Sequence, residues 1–184
     1  MSGGLVMSGE QRDAAVMLAV HRGPAPDARQ RLLFVLRGRG GRHGGQLALP
    51  GGNREPGDAD LQATATREAM EELGAPPGWF EVVASLDPVA SATTDYRVQP
   101  FVARFLTDPG RCRPSGGEVE AVVALDVAEL ANPAAVGREE KTFPTWSAPR
   151  MVPIRRAGGH TVWGLTLRIV EPVLPRLLDG TWPL

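Results

Sequence analysis

Glycine and proline in this chain gather at 23–26, 38–57, 74–78, 109–117 and 132–159, and the regular structure has to fit between those clusters. Glycine loosens the backbone and proline removes a donor, so both punctuate strands and helices. The segments between them that are apolar and rich in β-branched or aromatic residues read as strands at about 13–21 (DAAVMLAVH), 31–36 (RLLFVL), 80–86 (FEVVASL), 98–105 (VQPFVARF) and 119–125. A short strand is possible at 46–49. Helical patterning appears at about 60–73 and 162–178, the second opening at Thr161, a capping-type residue, with Pro172 and Pro175 expected to bend or shorten it. The stretch 132–159 reads as a long surface loop. Without a regular βαβ repeat, these elements predict an α+β fold, a sandwich of helices around a mixed central sheet.

The 184 residues suit one compact domain over 13–184 behind a flexible N-terminus at 1–12. A chain of this mass buries roughly 70% of its unfolded surface, enough for a core of its own. Twenty Lys+Arg against 21 Asp+Glu leave a net charge of −1, which argues against a nucleic-acid partner, whose phosphates call for surplus cations. The single cysteine, Cys112, excludes an internal disulfide framework and fits a reducing cytoplasm; it has no histidine near it in sequence to make it a nucleophile. No apolar run approaches the roughly 20 residues of a membrane span, and MSGGLVMSGEQRD lacks the basic start and apolar centre of a signal peptide. The expectation is a cytoplasmic protein with no membrane partner.

Chemistry concentrates in PGGNREPGDADLQATATREAMEELGA, residues 50–75. On the predicted helix Glu68, Glu71 and Glu72 stand at i, i+3 and i+4, so all three fall within roughly 100° of one face. Ala63, Ala69, Met70 and Leu73 occupy the opposite arc and suit packing on a sheet. Carboxylates about 5 Å apart repel by on the order of 3 kcal/mol per pair at an effective dielectric near 20, more than Arg67 alone can offset. A hard divalent cation such as Mg²⁺ or Mn²⁺ takes oxygen ligands and keeps phosphate oxygens in its shell, so the cluster points to phosphate-ester chemistry. Upstream, Pro50-Gly51-Gly52 allows a tight turn and close backbone approach to a ligand. Asp58 lies near the helix start, where it can cap free amides or join a metal shell.

Gly52, Asp58 and Arg67-Glu68-Ala69-Met70-Glu71-Glu72-Leu73-Gly74 resemble the Nudix box of the Nudix hydrolases. The acidic residue is Asp rather than Glu, with eight rather than seven residues before the arginine, a form similar to that of coenzyme A pyrophosphatases. The upstream LLFVLRGRGGRHGGQLALPGG also resembles that subfamily's motif at Arg37, His43, Gly45, Gln46, Pro50, Gly51 and Gly52, with Gly38 and Leu49 in place of its usual serine and phenylalanine. GGEVEAVVALDVAEL and VWGLTLRIV echo further segments, so the likeness runs from about 13 to 178.

The resemblance implies a Nudix-type α/β/α sandwich and a metal-dependent diphosphate hydrolase, acting on coenzyme A to release adenosine 3′,5′-bisphosphate and 4′-phosphopantetheine. Glu68 and Glu72 would be the main metal ligands, Glu71 a further ligand or the base, the Gly52 carbonyl would complete the shell, and Arg67 would hold the glutamates. Arg37, Arg39, Arg42 and His43 form a basic patch suited to substrate phosphates, with His43 a neutral hydrogen bonder and Gly51 in the substrate turn. Glu118 is a candidate base or supporting carboxylate, and Asp95 a weaker one. Trp146 and Trp163 could stack on an adenine, though core packing is the expectation for both. Rival readings are a Nudix hydrolase of ADP-ribose, a nucleotide sugar, NADH or a nucleoside triphosphate, and a non-catalytic nucleotide-sensing module, against which the intact glutamates argue. The implied partner is a small nucleotide; similar enzymes are often dimers, so a homodimer is allowed.

Overall fold

The computed structural model describes residues 12–25, 28–38, 40, 44–91, 95–114, 117–143 and 146–184. Its strands are β1 (Arg12–Arg22), β2 (Gln30–Arg37), β3 (Leu47–Ala48), β4 (Gly51–Asn53), β5 (Phe80–Ser85), β6 (Val89–Ala90), β7 (Tyr96–Phe105), β8 (Val119–Asp126), β9 (Val136–Lys141), β10 (Arg150–Ala157) and β11 (His160–Trp163). The helices are α1 (Leu61–Leu73), α2 (Val127–Ala131), α3 (Gly164–Val170) and α4 (Leu174–Leu178).

Strand β1 organises the larger sheet. It runs parallel to β7, Ala14 opposite Val98 and Leu18 opposite Val102, and antiparallel to β2 at one end and β4 at the other. Further out, β8 pairs with β2 while β5 and β6 pair with β7, which makes the sheet mixed. Successive side chains of a strand point to opposite faces, and β1 is apolar on both. Ala15, Met17 and Ala19 join Leu33, Val35, Phe101 and Phe105 under α1; Ala14, Leu18 and Val20 join Leu32, Phe34 and Val102 under the C-terminal helices. Each large side chain so buried contributes roughly 1.5–3 kcal/mol. The two cores on either side of one sheet make the α/β/α sandwich that the sequence implied.

Helix α1 begins where Asp60 accepts a hydrogen bond from the Ala63 N–H at 2.8 Å, an N-cap that fixes its first turn. It ends at Gly74 in the left-handed region. Ala69 and Leu73 are buried against the sheet as expected, together with Thr64 and Ala65, whereas Ala63 and Met70 are half-buried.

Two expectations fail. The stretch 132–159 is no loop: β9, β10 and β11 form a second, antiparallel sheet, with Ile154 opposite Gly137 on one side and Trp163 on the other. Charge hid β9, VGREEK, and Pro153 hid β10. The proline is tolerated because β11 stops level with Ile154, leaving Pro153 paired only with Arg138 of β9. The helix expected over 162–178 starts at Gly164 after Trp163, not at Thr161, because His160–Trp163 is drawn into the sheet. Gly158 and Gly159, both at positive φ, close the β10–β11 hairpin. Pro172 and Pro175 do shorten the helix: α3 ends at Val170, one 3-10 turn follows, and α4 resumes at Leu174.

Candidate active site at the first helix

The Pro50–Asn53 turn is fastened to the middle of the sheet. Met17 N–H donates to the Pro50 carbonyl at 2.8 Å, and Gly51 and Gly52 stand opposite Val16 and Ala15. A side chain does not fit on Gly51, where a Cβ would lie 2.3 Å from the Ala15 carbonyl oxygen, and one on Gly52 would displace the Glu68 carboxylate, whose Oε1 lies 2.4 Å from that position. The backbone is therefore free to meet the helix, and Gly51 N–H donates to Glu72 Oε2 at 2.9 Å. Glu68 and Glu72, one turn apart, both close on this turn.

Glu71 does not join them. Its side chain is 63% exposed and reaches Arg67 Nη1 only at 3.7 Å, so the three glutamates diverge at their tips although they share a face. Among the described residues no three His, Cys, Asp or Glu side chains converge into a closed ligand set.

Arg67 is spent on holding the turn and the helix together. Its Nε and Nη2 donate to the two Asp58 oxygens at 3.0 and 3.1 Å, Nη1 to Glu68 Oε1 at 3.0 Å and Nη2 to the Asn53 carbonyl at 3.0 Å. It holds Glu68 as expected but makes no bond to Glu72. Asp58 neither caps the helix, since Asp60 does, nor faces the glutamate pair. It is the second half of the brace, taking Thr64 Oγ1 at 2.9 Å and the Glu55 N–H at 2.9 Å besides Arg67. The Arg67 hydrogen bonds, aided by the Glu55 N–H, hold the Asp58 carboxyl well below the usual carboxylate range, and those bonds hold Arg67 well above its own. Asn53, Asp60 and Thr64 were missed in the sequence; the spacing of Asp60 three residues before Ala63, at a helix start, was the available signal for the cap.

Burial dominates the electrostatics of the glutamate pair. It pushes Glu72 up to about 7, against the opposing pull of the Gly51 N–H and the Arg37 charge, and it raises Glu68 too. Two desolvated carboxylates, one of them holding its proton near neutrality, form a hard-oxygen donor set short of positive charge, and that fits a divalent cation.

Arg37 and Glu118 both act on Glu72, one favouring and one opposing its charge. They come together because Gly38 N–H donates to the Glu118 carbonyl at 2.8 Å, while the Gly44–Gln46 turn brackets Arg37 through its N–H to the Gln46 carbonyl and its carbonyl from the Gly45 N–H. Arg39, Arg42 and His43 lie outside the described residues. Asp95 stands just before β7, its carbonyl accepting the Arg12 N–H at 2.8 Å. Trp146 and Trp163 are half-buried rather than core residues, in contact edge to face at 6.4 Å between ring centroids.

A glycine turn laid across a sheet and clasped to two half-buried glutamates, one of them held by an Arg–Asp brace, is an arrangement of oxygen donors of the kind that a divalent cation can use. The model of the NUDIX domain matches residues 10–146, and the chain belongs to the Nudix family. It is 36% identical over 154 residues to the human "Mitochondrial coenzyme A diphosphatase NUDT8", an alignment covering 82% of this chain and 64% of that protein. It is 34% identical over 168 residues to the "Uncharacterized Nudix hydrolase NudL" of Salmonella newport, covering 88% of this chain and 80% of that one. Among solved structures, the NUDIX domain of Shewanella oneidensis NrtR complexed with ADP ribose superposes with a TM-score of 0.57 at 16% identity, over 92% of this chain and 90% of that one, a likeness of fold. No helix of the described residues is long and apolar enough to cross a membrane.

Proposed function

We propose that the protein hydrolyses the diphosphate of coenzyme A or its derivatives, giving adenosine 3′,5′-bisphosphate and 4′-phosphopantetheine. The observation that carries this is the clasp of Glu68 and Glu72 on the Gly51–Gly52 turn in a chain 36% identical to a human coenzyme A diphosphatase. Glu68 and Glu72 would hold Mg²⁺ or Mn²⁺, with the Gly52 carbonyl as a further oxygen donor. Such an ion, when bound, activates water and offsets charge on the diphosphate. Arg67 keeps Glu68 aimed through a charge-assisted bond, and Arg37 draws the anionic substrate toward Glu72. Glu71, exposed at the mouth, is the candidate base. Arg42 and His43 complete the basic patch for substrate phosphates.

Purified protein incubated with Mg²⁺ or Mn²⁺ and a panel of coenzyme A, ADP-ribose, NADH, nucleotide sugars and nucleoside triphosphates tests the reading. Turnover of coenzyme A above the rest supports it. Turnover of ADP-ribose without coenzyme A rejects the substrate, and no turnover of any rejects the enzyme.

A further inference from the structure

Strand β9 is the outer member of the second sheet. Among the described residues it pairs with β10 alone, whereas β11, on the far side of β10, lies beside β3 of the larger sheet. The open edge of β9 therefore points away from the larger sheet and from the glutamate pair. Such an edge offers unpaired backbone N–H and C=O groups to any extended strand that can lie along it.

The side chains decide which strand that is. Along β9, residues alternate between half-buried and exposed. Gly137, Glu139 and Lys141 share one face, where Lys141 and Arg156 balance the Glu139 charge at 2.5 and 3.0 Å. Val136, Arg138 and Glu140 share the other and are exposed. Neither Arg138 nor Glu140 has an ion-pair partner among the described residues, and Arg138 only donates to the Met151 carbonyl at 3.0 Å. Val136 and Met151, 55% and 53% exposed, flank the two charges on that face. Two identical strands paired antiparallel about a two-fold axis must centre on a residue, because side chains that stand opposite share a face. Centred on Glu139, the pairing sets Arg138 opposite Glu140 of the second copy and Glu140 opposite its Arg138. Lys141 then faces Gly137, which has no side chain to oppose it, and the two Glu139 carboxylates that meet are each balanced within their own chain. Centred on Arg138 or on Glu140, the pairing sets an unpaired charge against its own copy, which destabilises a cross-strand pair. The second of these also brings Glu139 to Lys141, but both are already paired in their own chain.

We propose that β9 is a self-recognition edge: two copies of the chain pair antiparallel through it, centred on Glu139, with Arg138 and Glu140 exchanging ion pairs across the two-fold axis. The two three-stranded sheets become one continuous sheet, and the Gly51–Gly52 turn stays open in both copies. The edge is six residues long, short beside a permanent interface, so the dimer forms and dissociates with concentration. Its two ion pairs lie at the surface, so salt weakens it.

The test is sedimentation velocity of the full chain from micromolar to millimolar concentration. The wild type is expected to pass from monomer to dimer across the series and back toward monomer as salt is raised. Arg138→Glu sets carboxylates against each other at both contacts, and Glu140→Arg does the same with guanidinium groups, so each is expected to raise the dimer Kd by about tenfold or more. An equimolar mixture of the two variants is expected to dimerise again, because opposite charges then face each other at both contacts, and so is the double variant. Recovery in the mixture also shows that both variants are folded. A wild type that stays monomeric throughout, an Arg138→Glu variant that dimerises as the wild type does, or a mixture that associates no better than its components would each overturn the inference. None of these readouts depends on coenzyme A turnover, so a failure of the proposed function leaves the dimer standing.

Discussion

Two charge clusters, one between α1 and the glycine turn and one on the β9–β10 sheet, behave differently. In the first, Arg67 and Asp58 pair with side chains 24% and 7% exposed, and four acceptors surround one guanidinium between the helix and the glycine turn. In the second, Glu139 takes Lys141 at 2.5 Å and Arg156 at 3.0 Å on the β9–β10 surface, where Glu139 is 34% and Arg156 57% exposed and only Lys141, at 23%, is as covered as Arg67. Water screens the second and the protein encloses the first, so only the first fixes geometry. The difference explains why one cluster can serve a site and the other decorates a sheet.

That contrast can be broken at several points. The largest effect is expected beside the first cluster, where Glu72→Gln removes one of two half-buried carboxylates and should lower kcat/KM by about 100-fold or more with the circular dichroism spectrum unchanged. Calorimetric titration with Mn²⁺ should show the same loss in binding. Next, Arg67→Lys keeps the charge but cannot span Asp58, Glu68 and Asn53 at once, and steady-state kinetics should show a drop of about 10–100-fold.

A smaller effect concerns pH. The folded chain holds a proton on Glu72 up to about 7, where an unfolded glutamate has already released it. Stability of the metal-free protein should therefore fall as pH rises from about 4.5 to 7 on account of this group, and Glu72→Gln should flatten that part of a Tm-against-pH curve. Added Mg²⁺ should recover stability at the upper end. Smallest of all, Glu139→Gln should leave Tm within about 2 °C. A larger fall in Tm would mean that exposure does not separate the clusters.

The same contrast governs what the sequence disclosed. β1 and β2 were legible because burial on both faces demands unbroken apolar runs, and α1 because its cap, its glutamates and its closing glycine agree. The second sheet was not, since strands half in water carry charges such as Arg138, Glu139 and Glu140, and Pro153 counts as a breaker wherever no neighbour is known. Gly158-Gly159 was a readable hairpin signal that was passed over inside a glycine-rich stretch. At the site, spacing placed Glu68, Glu71 and Glu72 on one arc, yet the outward turn of Glu71 depends on where the Gly51–Gly52 turn crosses the sheet, and that is a long-range contact. That Asp60 rather than Asp58 caps the helix, while Asp58 pairs with Arg67 nine residues on, is likewise set by contacts beyond the local spacing.

The pairing of β1 with β7 joins residues some eighty positions apart, whereas the β10–β11 hairpin closes over two glycines. Local contacts form quickly and distant ones wait for chain closure, so the hairpin can assemble early in refolding. β4, by contrast, pairs with β1 across more than thirty positions. Recovery of activity from denaturant should then track the slowest, global phase, and the catalytic turn would be among the last parts of the molecule to acquire its final form.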